Sequence, residues 1–174
     1  STTNYLMAPL MSVTRLALHL YLISLMDKVE ILILRNLLYN EEYLRKVVPF
    51  IKVDYFEDPQ QKIVFEEVHK FVTEYNQPAT KEVLCIEVEK RQDINDTSFQ
   101  EITKLISYLE DVPTDYDWLC DTTEKWCRDR AIYLALMESI ALADGKDKDK
   151  DRGAIPSILS NALAVSFDTH IGHD

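Results

Sequence analysis

The stretch A-I-Y-L-A-L-M-E-S-I-A-L-A, from Ala131 to Ala143, decides the fold of this chain. Only Glu138 and Ser139 are polar, and helical winding points the apolar side chains in every direction. A surface helix normally carries one apolar stripe, whereas a helix that is apolar all round is buried on all sides. Few residues follow this stretch to cover it. We therefore expect another subunit to supply part of the cover.

Signals at both ends predict that the stretch is the last half of one long helix. Residues 114–117 (T-D-Y-D) have the spacing of an N-terminal capping box, with Thr114 as the cap. Gly145 suits the left-handed position that commonly ends a helix. About thirty residues at 1.5 Å each give a rod of roughly 45 Å, which is long enough to project from a domain of this size. Two ion pairs are expected on its first half, Asp121 with Lys125 and Glu124 with Arg128.

A second, shorter helix is expected to fold back on the first. The alternating charges of residues 146–152 predict a solvated loop, and Gly153-Ala154-Ile155-Pro156 then starts the last helix. Ten or eleven residues are too few for an independent helix in water, so it must dock as an antiparallel hairpin. Residues expected to pack inside this hairpin are Leu134, Ala141, Ile155, Ile158, Leu159, Ala162 and Leu163.

One narrow stripe from the last helix covers roughly a third of the long helix, since a helix turns every 3.6 residues. The remaining two-thirds of the surface of the long helix must be covered by another part of the assembly. Residues expected to meet a neighbouring subunit are Ile132, Tyr133, Leu136, Met137 and Ile140.

The preceding residues, 26–112, predict a small globule of short amphipathic helices. Helix starts are indicated by Asn40, by Asp58-Pro59 and by Thr80, and residues 97–100 (T-S-F-Q) form a further capping box. Three glycines and six prolines in 174 residues are too few for a sheet of many strands. The predicted fold class is all-α, a helical globule (26–112) followed by a protruding hairpin (113–167, with the charged loop at 146–153) and a linker start (168–174).

Composition limits the partners and the redox setting. The net charge of −11 argues against gripping nucleic acid by its phosphates, which requires clustered Lys and Arg. The three cysteines, Cys85, Cys120 and Cys127, are an odd number without paired spacing. They are interpreted as free thiols in a reducing compartment.

The first 25 residues form an apolar extension with three interpretations. About twenty apolar residues could span a bilayer, but Arg15 near the centre costs about 2.5–3.5 kcal/mol on insertion scales. The segment could instead be an extra docked helix, or sequence upstream of a natural start at Met26. No signal-peptide cleavage pattern is visible.

No catalytic or metal-binding motif is identified. Gly145-Lys146 resembles the end of a phosphate-binding loop, but Ile140 and Asp147 break the pattern G-x-x-x-x-G-K-[ST]. His69 follows Glu66 at the spacing of a di-iron helix, yet no second copy exists. His170 and His173 lack ligand company at metal spacing.

From Met26 onward, the order of elements resembles the N-terminal domain of DnaB-type replicative DNA helicases, in particular those of T-even-like phages. The resemblance rests on V-E-I-L-I-L-R-N-L-L-Y-N-E-E-Y at 29–43, D-Y-F at 54–56 before Asp58-Pro59, the helix start at Pro78-x-Thr80, E-K-W-C-R-D-R-A at 124–131, and G-A-I-P-S-I-L-S-N-A-L-A-V-S-F-D-T-H-I-G-H-D at 153–174. No single motif is diagnostic, but their combination is specific.

The resemblance implies a collar domain of a hexameric, ATP-dependent replicative helicase. In that family hairpins pair between subunits and the collar engages the primase. ATP, Mg²⁺ and DNA would be bound by a motor domain beyond Asp174, so this chain is expected to hold no cofactor and no catalytic residue. The implied location is the cytoplasm, that of the bacterial host if the chain is of phage origin, with no membrane partner. Two alternatives stay open: a stand-alone helical adaptor or regulator, and a helical protein tethered to a membrane by residues 5–25.

Overall fold

The computed structural model describes residues 13–15, 17 and 28–168, and this part of the chain is helical without any strand. The prediction of an all-α fold is confirmed. Residues 13–15 and 17 are helical and exposed. The helices after residue 27 are α1 (28–39), α2 (Glu41–Val47), α3 (Pro59–Tyr75), α4 (Lys81–Glu89), α5 (Asp96–Ser107), α6 (Tyr116–Ala143) and α7 (Ile155–Leu163), with short 3-10 turns at Val48–Phe50, Val53–Tyr55 and Arg152–Ala154.

Side-chain caps fix the starts of these helices. Asn40, Asp58 and Thr80 each accept a backbone N–H of the following turn, which confirms three predicted starts. Two predicted starts are displaced. Asn95 caps α5 instead of Thr97, and Asp115 caps α6 instead of Thr114. In both cases an Asx residue lies within two positions of the hydroxyl residue, and the Asx oxygen accepts the N–H three residues on.

The core of the globule is built from α1 to α5 and the first half of α6. Trp126 contacts the rings of Tyr55 and Phe56 at 5.9 and 4.9 Å between centroids. The Tyr43 hydroxyl lies 2.6 Å from the Thr123 hydroxyl, which in turn donates to a backbone carbonyl one turn earlier on α6. The first half of α6 therefore packs in the core of the globule, to which Leu119 and Cys120 also belong.

Helices α3, α4 and α5 pack on one another as a second layer, and one arginine links the end of α4 to α3. The Arg91 guanidinium, just after α4, binds Glu66 and Glu67 of α3 at 3.0 and 2.9 Å, and Asp93 at 2.6 Å. Glu67 is buried. A buried carboxylate is costly unless it is paired, so this arginine fixes the loop after α4 against α3.

The hairpin is antiparallel as predicted. Gly145 has a φ of +70°, and the N–H groups of Gly145 and Lys146 donate to the carbonyls of Leu142 and Ala141, which makes a Schellman ending of α6. Contacts join the end of α6 to the start of the returning segment: Arg152 donates to the Ala143 carbonyl, and Lys150 binds Glu138. Other contacts join the middle of α6 to the residues after α7: Arg128 donates to the Val165 carbonyl, and the Phe167 N–H donates to Glu124.

One predicted ion pair differs. Glu124 and Arg128 pair at 3.4 Å, but Lys125 binds Asp129 at 2.8 Å instead of Asp121. Both alternatives are i,i+4 pairs, which the sequence alone does not distinguish.

Most of the apolar extension lies outside the described residues, as do His170 and His173. Among the helices of the described part, none has the length and apolar character needed to cross a membrane. The three interpretations of residues 1–25 therefore stay predictions.

Replacing Arg91 with Ala is expected to lower the free energy of unfolding by about 3 kcal/mol, because it leaves the buried Glu67 carboxylate unpaired. Urea denaturation followed by circular dichroism measures the loss. The hydrogen bond from Arg91 lowers the pKa of Asp93. That contribution is full above about pH 4 and is lost as the pH falls further, so the difference between the two proteins narrows in acid.

Lys90→Ala is the matched control, one residue earlier. Lys90 is largely exposed and binds Glu87 at 2.9 Å. Exposed pairs contribute at most about 1 kcal/mol. An equal loss in both variants would show that the buried Glu67 pairing has no special role.

Candidate functional site

The second half of α6 is covered on one side by α7. Ala135, Ser139 and Leu142 are buried there. Leu134 and Ala135 line a cleft of about 420 Å³ together with Ile158 and Ala162 of α7. The buried residues Ala135, Ser139 and Leu142 are spaced by three, four or seven positions, so they form one helical face.

The globule covers a second side of the same helix. The Arg130 side chain donates to the Tyr55 carbonyl and binds Glu57 at 3.0 Å. Its guanidinium also lies 4.9 Å from the centre of the Tyr133 ring. Arg130 therefore holds the middle of α6 against the 3-10 turn at Val53–Tyr55 and stacks on the first residue of the exposed face.

The remaining side of α6 is apolar and open. We call it the α6 stripe, and it consists of Tyr133, Leu136, Met137 and Ile140, each between 47% and 55% exposed. Their spacing of three, one and three residues places all four on a single helical face. Half-exposed side chains of this size leave on the order of 400 Å² of apolar surface, at the level where patches on single chains mark interaction sites.

The polar residues of the quoted stretch do not interrupt the α6 stripe. Glu138 pairs with Lys150 at 2.6 Å, toward the α7 side. The Ser139 hydroxyl is buried and donates to the Ala135 carbonyl at 2.7 Å. Both polar groups have partners inside the hairpin, so the exposed face is left wholly apolar.

Of the residues expected to meet a subunit, the structure places four on the α6 stripe and leaves Ile132 half-buried. Of those expected inside the hairpin, Leu163 is the exception, with 64% of it exposed. The expectation was wrong for Leu163 because α7 ends at that residue, beyond the buried Ala162. The uncovered sector of α6 is also narrower than two-thirds. Arg130 and the Val53–Tyr55 turn cover one side of α6, and no local signal in the sequence indicates that contact.

Titratable groups near the first half of α6 are shielded and not activated. Burial raises the pKa of the Cys127 thiol to about 12, and burial also raises the pKa of Cys120 and brings that of Tyr116 to about 12. A thiol with a raised pKa is a poor nucleophile, since the thiolate is the reactive form. Within residues 13–15, 17 and 28–168, no cluster of His, Cys, Asp and Glu is arranged to hold a metal ion.

The fold is an all-helical globule followed by an antiparallel hairpin, and the apolar α6 stripe is its candidate binding surface. Comparison with known proteins makes the family specific. The chain is 32% identical over 151 residues to a DnaB-like replicative helicase of Enterobacteria phage T4. This match covers 82% of the chain, and no family model matches it.

The similarity confirms the resemblance seen in the sequence: this chain matches a domain of a DnaB-like replicative helicase. The match spans 32% of the length of the phage T4 protein, so it is a match to one domain of a longer relative.

Exposure should separate the roles of two neighbouring residues of α6. Leu142→Ala is expected to cost about 2–5 kcal/mol of folding free energy. Leu142 is 2% exposed, so its replacement by Ala leaves a cavity in the hairpin. Ile140→Ala should cost less than about 0.5 kcal/mol, because half of that side chain is already in water. Chemical denaturation at low protein concentration compares them. Similar losses for both would mean that Ile140 is part of the core of a single chain.

Proposed function

We propose that this chain is the N-terminal assembly domain of a replicative DNA helicase and associates with copies of itself through the α6 stripe. The observation that carries the proposal is the apolar face of Tyr133, Leu136, Met137 and Ile140, on a part of α6 whose other sides are covered by α7 and the globule. Similarity to a DnaB-like replicative helicase supports an oligomeric role. The ring of six subunits built from hairpin pairs comes from the family resemblance.

A second copy suits this face for a physical reason. In a two-fold dimer the same patch meets itself, and a face of uniform chemistry is complementary to its own copy. The stripe holds an aromatic residue, a Met and two aliphatic residues without a charge among them. The cores of interfaces between identical subunits are depleted of charge in the same way.

The remaining activities are proposed for the longer protein. The ATP- and Mg²⁺-dependent motor that translocates on DNA would follow this domain. The excess of acidic residues in the chain, with a net charge of −11, supports a collar that contacts protein and leaves DNA to the motor. A primase is the proposed second partner of the collar, and the host cytoplasm is the proposed location.

Association is expected to depend on the centre of the α6 stripe. Leu136→Asp should weaken self-association at least about a hundredfold, because pairing would bury an unpaired carboxylate on each side. Sedimentation equilibrium of the 174-residue chain over a range of concentrations measures this. Tyr108→Asp is the control, since Tyr108 is 66% exposed at the end of α5 and should leave association unchanged. A wild-type chain that stays monomeric at high micromolar concentration, while folded by circular dichroism, would falsify the proposal and favour a stand-alone adaptor.

Cross-linking should locate the contact directly. A Met137→Cys variant in a Cys85→Ser background is expected to form a disulfide-linked dimer under mild oxidation, since residues near a two-fold axis meet their own copies. Cys120 and Cys127 are buried and should not contribute. Tyr108→Cys in the same background should stay monomeric on a non-reducing gel. If it cross-links as readily as Met137→Cys, the linkage is random collision and gives no support to the stripe.

A further inference from the structure

A groove between α3 and α4 lies on the second layer of the globule, apart from the α6 stripe. It has a volume of about 510 Å³. Its apolar lining is Phe71 and Tyr75 from α3 and Val83 and Ile86 from α4. Tyr75 and Ile86 are 58% and 46% exposed. The Phe71 and Tyr75 rings pack against each other in a tilted arrangement, with 4.8 Å between their centroids. The groove therefore offers an apolar bed of two helix faces to an incoming chain.

One end of this groove holds a buried acceptor that is not fully used. Glu67 lines the groove with 6% of its side chain exposed. Its Oε1 atom accepts from Arg91, while its Oε2 atom is buried and has no hydrogen-bond partner within the described part of the chain. Buried carboxylate oxygens are normally hydrogen-bonded. A bound group that carries an N–H donor would satisfy this oxygen.

The charges around the groove favour a basic occupant. Glu87 binds Lys70 across the groove at 3.7 Å and Lys90 at the end of its own helix at 2.9 Å, so one carboxylate engages two lysines. Glu74 lines the groove as well, and Arg91 is shared among three carboxylates. Counting the groove lining and the Arg91 cluster together, carboxylates outnumber cations by five (Glu66, Glu67, Glu74, Glu87, Asp93) to three (Lys70, Lys90, Arg91).

We propose that this groove binds a short, basic amphipathic helix of another protein. Its apolar residues, spaced by three or four positions, would pack on Tyr75 and Ile86, and a Lys or Arg beside them would reach Glu74 and the free oxygen of Glu67. The nine residues of α4 make a groove of roughly 13 Å, which accommodates two to three helical turns. A second copy of this chain is a poor occupant because its net charge is −11.

The test uses the 174-residue chain and a fluorescein-labelled model helix of about 18 residues made of Leu and Lys, long enough to be helical when bound. Fluorescence anisotropy at about 150 mM salt, where long-range attraction is screened, measures its affinity. A twin peptide with Glu in place of Lys should bind at least about tenfold more weakly. The Tyr75→Ala/Ile86→Ala double variant should also lose at least about tenfold in affinity for the Lys peptide, with its helical circular dichroism unchanged.

Two matched variants separate this site from other surfaces. Tyr108→Ala removes an exposed aromatic elsewhere on the globule and should leave peptide affinity unchanged. Leu136→Asp disrupts the α6 stripe and should likewise leave it unchanged, so a failed self-association does not affect this result. The proposal is overturned if the Lys peptide does not bind at about millimolar concentration, if the Glu peptide binds equally well, or if the groove variant binds like wild type. Loss of binding in Leu136→Asp instead would assign the peptide to the stripe and also overturn it.

Discussion

The structure depends on one constraint: a single 28-residue helix, α6, must satisfy two environments along its length. Its first half enters the globule, where Trp126 packs on aromatic rings and Thr123 meets the Tyr43 hydroxyl in the core. Its second half leaves the globule and, in the part of the chain that the structure describes, is covered by α7 and by the Arg130 contacts. Because a rigid helix cannot bend its apolar face back to the core, the part beyond the globule keeps an uncovered side. The same straight helix thus completes the core of the globule with its first half and presents the α6 stripe with its second half.

Local signals in the sequence were sufficient for much of this arrangement. Caps at Asn40, Asp58 and Thr80, the left-handed Gly145 and the all-α composition depend on residues within one or two turns of each other. The two displaced starts, at Asn95 and Asp115, show the limit of the same reasoning, because two possible capping residues lie within two positions of each other. For the candidate site, the spacing of Tyr133, Leu136, Met137 and Ile140 was visible from the start.

What the sequence did not indicate were the contacts between distant residues. Arg130 lies 75 positions from Tyr55, and no sequence pattern near either residue predicts that the two are in contact. That contact reduces the uncovered part of α6 from the two-thirds expected to one face. In the same way, the groove between α3 and α4 arises from the turn at residues 76–80 and the clamp at Arg91, and its buried Glu67 oxygen depends on a side-chain conformation. The end of α7 also left Leu163 outside the hairpin, which a periodic pattern without a known helix end could not show.

The return of the chain from the hairpin to the globule has a mechanical consequence. The Phe167 ring lies 4.8 Å from Phe50 between centroids, and the backbone on either side is fastened to Arg128 and Glu124, near the middle of α6. The described part of the chain therefore ends, at residue 168, beside the base of the hairpin and not beside its tip. A pull applied at that point would first load the contacts of Phe167, Arg128 and Glu124, while the exposed face farther along α6 would feel no direct force. The base of the hairpin would thus bear the strain without disturbing the α6 stripe.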